Sequence, residues 1–262
     1  MTQKNHKLTI GWLYPTLMST YGDRGNIIVL SKRCEWRGIN VEIVPIDQTT
    51  SDQQLKSIDL LFGGGAQDRE QELVIKDLHK KGKTIKELIE NNTPALFVCG
   101  APQLMGNYYE PSVGERIEGL GIFDMVSKHP GPDKERLIGD IVAQITAPTL
   151  LDTKYHIQTT IVVGFENHGG RTYLGENVLP FAKVIKGFGN NGEDGTEGVV
   201  YKNAIGCYLH GPLLPKNPMI ADYLIQKALE VKYKEKIELK PLDDELEEKA
   251  NKAILQKLGV NS

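Results

Sequence analysis

Four apolar residues, Ala95-Leu96-Phe97-Val98, run without alternation into Cys99-Gly100. A strand with one face in water alternates apolar and polar side chains. A run with no polar side suits a strand covered on both faces, which is the condition of a parallel strand inside an α/β sheet. The residues before it agree. Leu8 to Tyr14, Val41 to Ile46 and Ile58 to Phe62 are further apolar runs, the last stopped by Gly63-Gly64-Gly65. Tyr21-Gly22-Asp23-Arg24-Gly25-Asn26 reads as a turn with Asp23 as a helix cap. Ile27, Leu30 and Cys34 then fall at helical spacing, which predicts a helix to about Arg37. A longer helix is predicted from Asp68 to Asn91, broken near Gly82. Strand and helix therefore alternate from Leu8 to Val98, and that order predicts a parallel sheet with helices on both sides.

The rest of the chain reads differently. Ile138 to Ile145, Ile157 to Phe165 and Gly198 to Leu209 look like strands with little helix between them, so a mixed sheet or an antiparallel extension is expected. Helices return over 218–232 and 243–258, the second with an apolar stripe of Leu246, Ala250, Ile254 and Leu258. Residues 1–232 are read as one domain and 233–262 as a helical extension packed on that domain or on its partner. Composition removes several classes of function. A net charge of −3 without a Lys/Arg block argues against nucleic acid. No apolar run approaches the roughly 20 residues of a membrane span, and the polar stretch Met1 to Lys7 is not a signal peptide. Three widely spaced cysteines make neither a disulfide framework nor a zinc site, and read as reduced thiols of a cytoplasmic protein.

Chemistry is concentrated at two places. Cys99 stands where a buried strand meets the next helix, an elbow that exposes its residue at the carboxyl edge of the sheet. Unpaired N–H groups at that helix start favour a thiolate. Gly100 offers one N–H to an oxyanion and Gly63-Gly64-Gly65 a second, the pair a tetrahedral intermediate needs. A buried core cysteine beside a tight turn is the competing reading. His210, between Leu209 and Gly211-Pro212, is placed at a sheet edge on the same face as Tyr208, with Cys207 on the other face. Spacing alone does not bring it to Cys99. Cys34 and Cys207 read as core thiols. Gly187 to Gly192 is glycine-rich but lacks the Lys-Ser/Thr of a phosphate loop, and reads as a turn.

The segment Phe97 to Gly106 resembles the nucleophile elbow of class I glutamine amidotransferases, Cys-x-Gly-x-Gln. Gly164 to Thr172 and Tyr208 to Gly211 are similar to segments of their cobyric acid synthase branch. Closer still, the chain resembles the GatD family, the glutaminase subunits of lipid II isoglutaminyl synthases. The shared pieces are Tyr21 to Asn26, Gly63 to Gly65 with Gln67 to Glu70, Ile117 to Gly121, Arg136 to Asp140, Glu166 to Thr172 and Leu209 to Pro212. The resemblance implies a flavodoxin-like three-layer sandwich, with a mostly parallel central sheet, an antiparallel extension and extra C-terminal helices. It implies Cys99 as nucleophile and His210 as its acid and base, in hydrolysis of L-glutamine to glutamate and ammonia through a thioester. Arg136 matches an arginine that contacts glutamine and suits its α-carboxylate, the competing reading being a surface salt bridge. Gly64, Gly65, Gly100, Gln103 and His168 line the expected substrate site, with Gln103 bracing the elbow and His168 shaping the pocket or serving structure alone.

Two departures stand out. Many class I enzymes carry Glu two residues after the histidine, where this chain has Pro212. The resemblance implies that an aspartate of a partner synthetase orients His210 instead. Ala101 and Pro102 replace Gly and an aromatic residue, and the Ala101 methyl is expected near the glutamine pocket. The implied partner is a MurT-like Mur ligase in a heterodimer. It would amidate the D-glutamate of lipid II, so that this chain meets lipid II only through the ligase. No cofactor and no metal are expected in this chain, with ATP and Mg expected in the ligase. Two alternatives stay open at this point: another acceptor, of cobyric acid type, and a catalytically silent scaffold of a synthetase. Cobyric acid types usually fuse a synthetase domain, for which 262 residues leave no room.

Overall fold

The computed structural model describes residues 6–131, 133–150 and 160–260. Strands β1 (Lys7–Leu13), β2 (Asn40–Ile46), β3 (Leu60–Gly63) and β4 (Ala95–Val98) alternate with helices α1 (Arg24–Glu35), α2 (Asp52–Lys56) and α3 (Asp68–Glu90), and the short α4 (Gly100–Met105) follows β4. Every residue of β3 and β4 is buried, as their unbroken apolar runs require. β1 pairs in parallel with β2 and β3, and β3 pairs in parallel with β4.

The next two neighbours in this sheet come from far along the chain. β14 (Ala204–Cys207) pairs in parallel with β4, and β13 (Val199–Tyr201) adds an antiparallel edge. The order of the six strands is β13-β14-β4-β3-β1-β2. Cys207 lies opposite Val98 in this register. The residues that follow each strand, Cys99 and Leu209-His210, therefore leave the sheet at the same carboxyl edge, where ligand sites of parallel sheets lie.

Alternation along the central strands builds two cores. Leu96 and Val98 face Leu30 and Cys34 of α1 and Leu224 and Ala228 of α5 (Pro218–Tyr233). Ala95 and Phe97 face Val74, Leu78, Ile85 and Ile89 of α3. The result is three layers, helix on sheet on helix, as expected. Burial pushes the Cys34 thiol up to about 12 and raises that of Cys207 as well, so both are inert core thiols.

The extension consists of two sheets of four strands, one mixed, with β5 and β7 parallel, and one antiparallel. One has the order β10-β7-β5-β6, from β5 (Tyr108–Glu110), β6 (Ile117–Glu118), β7 (Met125–Lys128) and β10 (Arg171–Leu174). The other has the order β12-β11-β8-β9, from β8 (Leu137–Ile145), β9 (Ile161–His168), β11 (Ala182–Lys186) and β12 (Thr196–Glu197). β9 reaches the main sheet through a bridge between Phe165 and His210.

The structure differs from the sequence reading in two places. α3 runs unbroken through Gly82, because Leu120 takes the space of a side chain there and a β-carbon would sit 2.8 Å from its Cδ2. The single strand expected over 198–209 is a hairpin of β13 and β14, turning at Lys202 with φ 54°. The predicted strand start at 157–159 lies outside the described residues. Beyond α5, Ile237 is buried in the core of α1 and α5, and Leu255 of α6 (Glu245–Lys257) packs on Val142 and Val163. Among the described residues no helix is long and apolar enough to cross a membrane.

Candidate active site

Cys99 occupies the elbow between β4 and α4 with φ 55° and ψ −98°. A non-glycine residue there is strained by about 1–3 kcal/mol, and such strain gathers at reactive positions. The bond from its own N–H to the Cys207 carbonyl, at 2.8 Å, holds it in place. Glycines keep the surroundings clear. A β-carbon at Gly65 would lie 2.7 Å from His210 Cε1 and 3.4 Å from Cys99 Cβ. One at Gly100 would lie 2.8 Å from the backbone of Ala66. The sheet register thus brings Cys99 and His210 together across Gly65.

His210 is fixed through its backbone, donating to the Phe165 carbonyl at 2.8 Å and accepting from its N–H at 3.1 Å. Its Nδ1 lies 3.1 Å from Asp23 Oδ1, and both side chains are fully buried. A carboxylate only accepts, so Nδ1 carries the proton and Nε2 is left for the sulfur side. Among the described residues Nε2 meets no hydrogen-bond partner other than the Cys99 sulfur it faces. Tyr21 stands edge-on to the ring at 5.1 Å. Burial opposes a charge on His210, but the Cys99 sulfur and the Asp23 carboxylate outweigh it and push its pKa up to about 10.

Asp23 changes the reading of the site. The resemblance implied that a partner protein supplies the carboxylate behind His210, but a carboxylate of this chain holds that place. Nor does the Asp23 side chain cap α1. Its Oδ2 accepts from Gly65 N–H at 2.7 Å while Oδ1 faces His210. Pro212 lies against Gly25, whose added β-carbon would run into its ring. Where related enzymes carry a glutamate, this chain packs a proline on the helix start that delivers Asp23. The bond to Asp23 also removes Gly65 from the expected oxyanion donors. Gly100, the first residue of α4, has an N–H with no acceptor inside its helix and remains.

Behind the elbow runs a buried polar chain. Gln103 accepts from Gln71 at 2.9 Å and donates to Tyr208 Oη at 3.0 Å, and Tyr208 Oη meets Thr172 Oγ1 at 2.7 Å. Gln103 therefore braces α4 against the segment that carries His210, and its amide is spent on that task. His168 stacks on Tyr208 with centroids 3.7 Å apart and donates from Nδ1 to the Gly170 carbonyl at 2.8 Å. Burial lowers its pKa, so it stands as a neutral wall of the site. Glu166 accepts from the N–H groups of Phe188 and Gly189, so the glycine-rich loop folds over a carboxylate of its own chain.

Arg136 is exposed. Its Nε and Nη2 donate to Oδ1 and the carbonyl of Asn167 at 2.9 and 2.8 Å. Among the described residues no carboxylate lies within 4.0 Å of it. The elbow departures also resolve. A β-carbon at Gly63 would lie 2.9 Å from the Ala101 methyl, which is buried in the α3 core and not in the substrate site as expected. Pro102 packs against Gly206 in the same way. Sequence reasoning missed Asp23 as the histidine's partner and Gln71 as a brace. The glycines flanking Asp23 at the end of a parallel strand were the available signal.

A sulfur nucleophile, an imidazole oriented by a carboxylate and an N–H at a helix start are the parts of acyl transfer from an amide or ester. Residues 9–218 match the CobB/CobQ-like glutamine amidotransferase domain. The chain is 42% identical to the lipid II isoglutaminyl synthase (glutamine-hydrolyzing) subunit GatD of Staphylococcus aureus, over 96% of both chains. It is 40% identical to the subunit of the same name from Streptococcus pneumoniae, over 91% of this chain and 87% of that one. A probable cobyric acid synthase of Methanosphaera stadtmanae is 28% identical, over 79% of this chain but only 39% of its own length. Among solved structures, the glutaminase domain of Trypanosoma brucei CTPS superposes with a TM-score of 0.55 at 14% identity, covering 89% of this chain and 96% of that one. A Thermotoga maritima glutamine amidotransferase superposes with a TM-score of 0.53 at 14% identity, covering 95% and 94%. The chain belongs to the CobB/CobQ-like glutamine amidotransferases and, within them, to the family of GatD subunits.

Proposed function

We propose that this chain is the glutaminase subunit of a lipid II isoglutaminyl synthase. Cys99 attacks the side-chain amide carbon of L-glutamine and forms a thioester. His210, held by Asp23, gives its proton to the departing ammonia. It then takes a proton from the water that releases glutamate. The Gly100 N–H faces the oxyanion, and Arg136 holds the α-carboxylate end-on through Nη1 and Nη2. Ammonia passes to a MurT-like Mur ligase in a heterodimer. That ligase binds ATP and Mg and converts the D-glutamate of lipid II to D-isoglutamine on the cytoplasmic side. This chain itself binds no cofactor.

The observation that carries this reading is the identity of 42% over 96% of both chains, with Cys99 and His210 in place. An acceptor of cobyric acid type has less support, because the probable cobyric acid synthase of Methanosphaera stadtmanae is matched over only 39% of its length. The test is transfer of label. The chain and its Mur ligase are incubated with amide-15N-glutamine, ATP, Mg and lipid II. The expected result is 15N in the α-amide of the lipid II D-glutamate, absent with Cys99→Ala. Labelled free ammonia with unmodified lipid II would contradict the acceptor, and no ammonia at all would contradict the glutaminase.

A further inference from the structure

A second arginine stands behind Arg136. Arg171 opens β10, just past the Gly169-Gly170 turn, and is 9% exposed. Its Nη1 donates to the Gly169 carbonyl and its Nη2 to the Glu135 carbonyl, both at 2.8 Å. Glu135 immediately precedes Arg136, and a β-carbon at Gly169 would lie 3.3 Å from Arg136 Nη1. One guanidinium therefore ties the backbone that carries Arg136 to the turn over which Arg136 lies. That turn rests on the catalytic half of the molecule, since a β-carbon at Gly170 would lie 2.8 Å from Gln103 Nε2.

The charge balance is unusual. A buried arginine is ordinarily paired with a carboxylate, because desolvating a lone cation is costly. Among the described residues no carboxylate lies within 4.0 Å of Arg171 or of Arg136, and every acceptor either one uses is a neutral carbonyl or amide oxygen. Two cations thus flank one glycine turn, and the Glu193 carboxylate acts on Arg171 only from beyond ion-pair distance. A ligand carboxylate placed there gains from both, from Arg136 by contact and from Arg171 through a short, poorly screened path.

We propose that Arg171 is a positioning residue for recognition of the glutamine α-carboxylate: it fixes the Arg136 backbone and adds a second charge behind it. This inference rests on the reading of Arg136 as the carboxylate holder. Arg171 acts on substrate binding and leaves the Cys99–His210 chemistry alone.

The test compares L-glutamine with its α-methyl ester, which keeps the reacting amide and lacks the negative charge. Steady-state kinetics of glutamate or glutamate-ester release are measured for the chain with its ligase. Arg171→Met is expected to raise KM for glutamine about tenfold or more, the scale of one charge-assisted hydrogen bond, with kcat nearly unchanged and the ester unaffected. Arg171→Lys keeps the charge but not the fork and is expected to fall between. It also serves if the methionine variant does not fold. Equal losses on glutamine and ester in either variant would make Arg171 a structural brace and overturn the proposal. Arg136→Met separates the two levels. If it abolishes the preference for glutamine over ester while both Arg171 variants keep it, the proposal fails alone. If Arg136→Met also keeps the preference, the reading beneath it fails too.

Discussion

Helix α1 carries a buried charged cluster at each end, and the two are built in opposite ways. Toward its C-terminal end Arg33 donates to Asp222 and Asp244 through bonds of 2.5 to 3.1 Å, and Arg37 donates to Asp222 as well. At its N-terminal end Asp23 accepts one bond from Gly65 and one from His210, and among the described residues His210 Nε2 is left with only the Cys99 sulfur to face. The first cluster is saturated and ties α1 to α5 and to the start of α6. The second is saturated on one side only, and the open side faces Cys99. Burial and charge are common to both. What separates this brace from this reactive site is the open Nε2 that faces Cys99, because a group already holding all its partners has no proton to give or take.

The comparison breaks most severely at the reactive end. Cys99→Ala is expected to abolish glutamine hydrolysis with the fold intact, measured as glutamate release beside a thermal melt. Asp23→Asn comes next. Its remaining oxygen still accepts from Gly65, so folding should hold, but the carboxylate that orients the Nδ1 proton is gone. A kcat loss of roughly a hundred- to ten-thousandfold is expected, against only a few-fold if Asp23 is a mere spacer. The pH profile sharpens the point. His210 is raised to about 10, so the imidazolium persists through neutral pH and kcat/KM should fall only as pH rises through about 10. Asp23→Asn removes one cause of that rise, and the alkaline limb should move to lower pH.

At the saturated end the signs reverse. Arg33→Met leaves Asp244 unpaired and is expected to cost about 3 kcal/mol of stability, read from denaturant unfolding, with kcat per folded molecule unchanged. A large kcat loss in the fully folded variant would show that the clusters act as one. A pH-dependent effect is expected at Glu197, whose carboxylate accepts from Tyr208 N–H at 2.7 Å. Burial pushes its pKa up to about 8. The folded chain therefore holds a proton that the unfolded chain has released, and its stability contribution falls between pH 4.5 and about 8. Glu197→Gln keeps the acceptor and removes the titration. Its melting temperature should rise above wild type at pH 8 and by less at pH 5.

Much of this was legible in the residues. The all-apolar runs of β3 and β4 announced a parallel sheet buried on both faces, and Cys99-Gly100 announced the elbow. The Cys99–His210 pair needed the family resemblance, because only the β14–β4 register brings their strand ends together. Asp23 was hidden for a different reason. An aspartate before an apolar helix reads as a cap, and a cap and a catalytic acid are the same residue type in the same local pattern. Only the packing of β1 beside β3 turns its side chain to Gly65 and His210. The placing of Ala101 failed in the same way, since the direction of its methyl depends on Gly63 from another strand. Gly82 was read as a break because propensity is local, whereas the contact with Leu120 that suits a glycine is not.

The most direct measurement is glutamate release from glutamine by this chain without any ligase, for wild type and Asp23→Asn. An in-chain Cys99–His210–Asp23 set predicts a measurable basal rate that drops sharply in Asp23→Asn. No glutamate until the ligase is added, with Asp23→Asn then as active as wild type, would contradict it and place the carboxylate behind His210 in the partner.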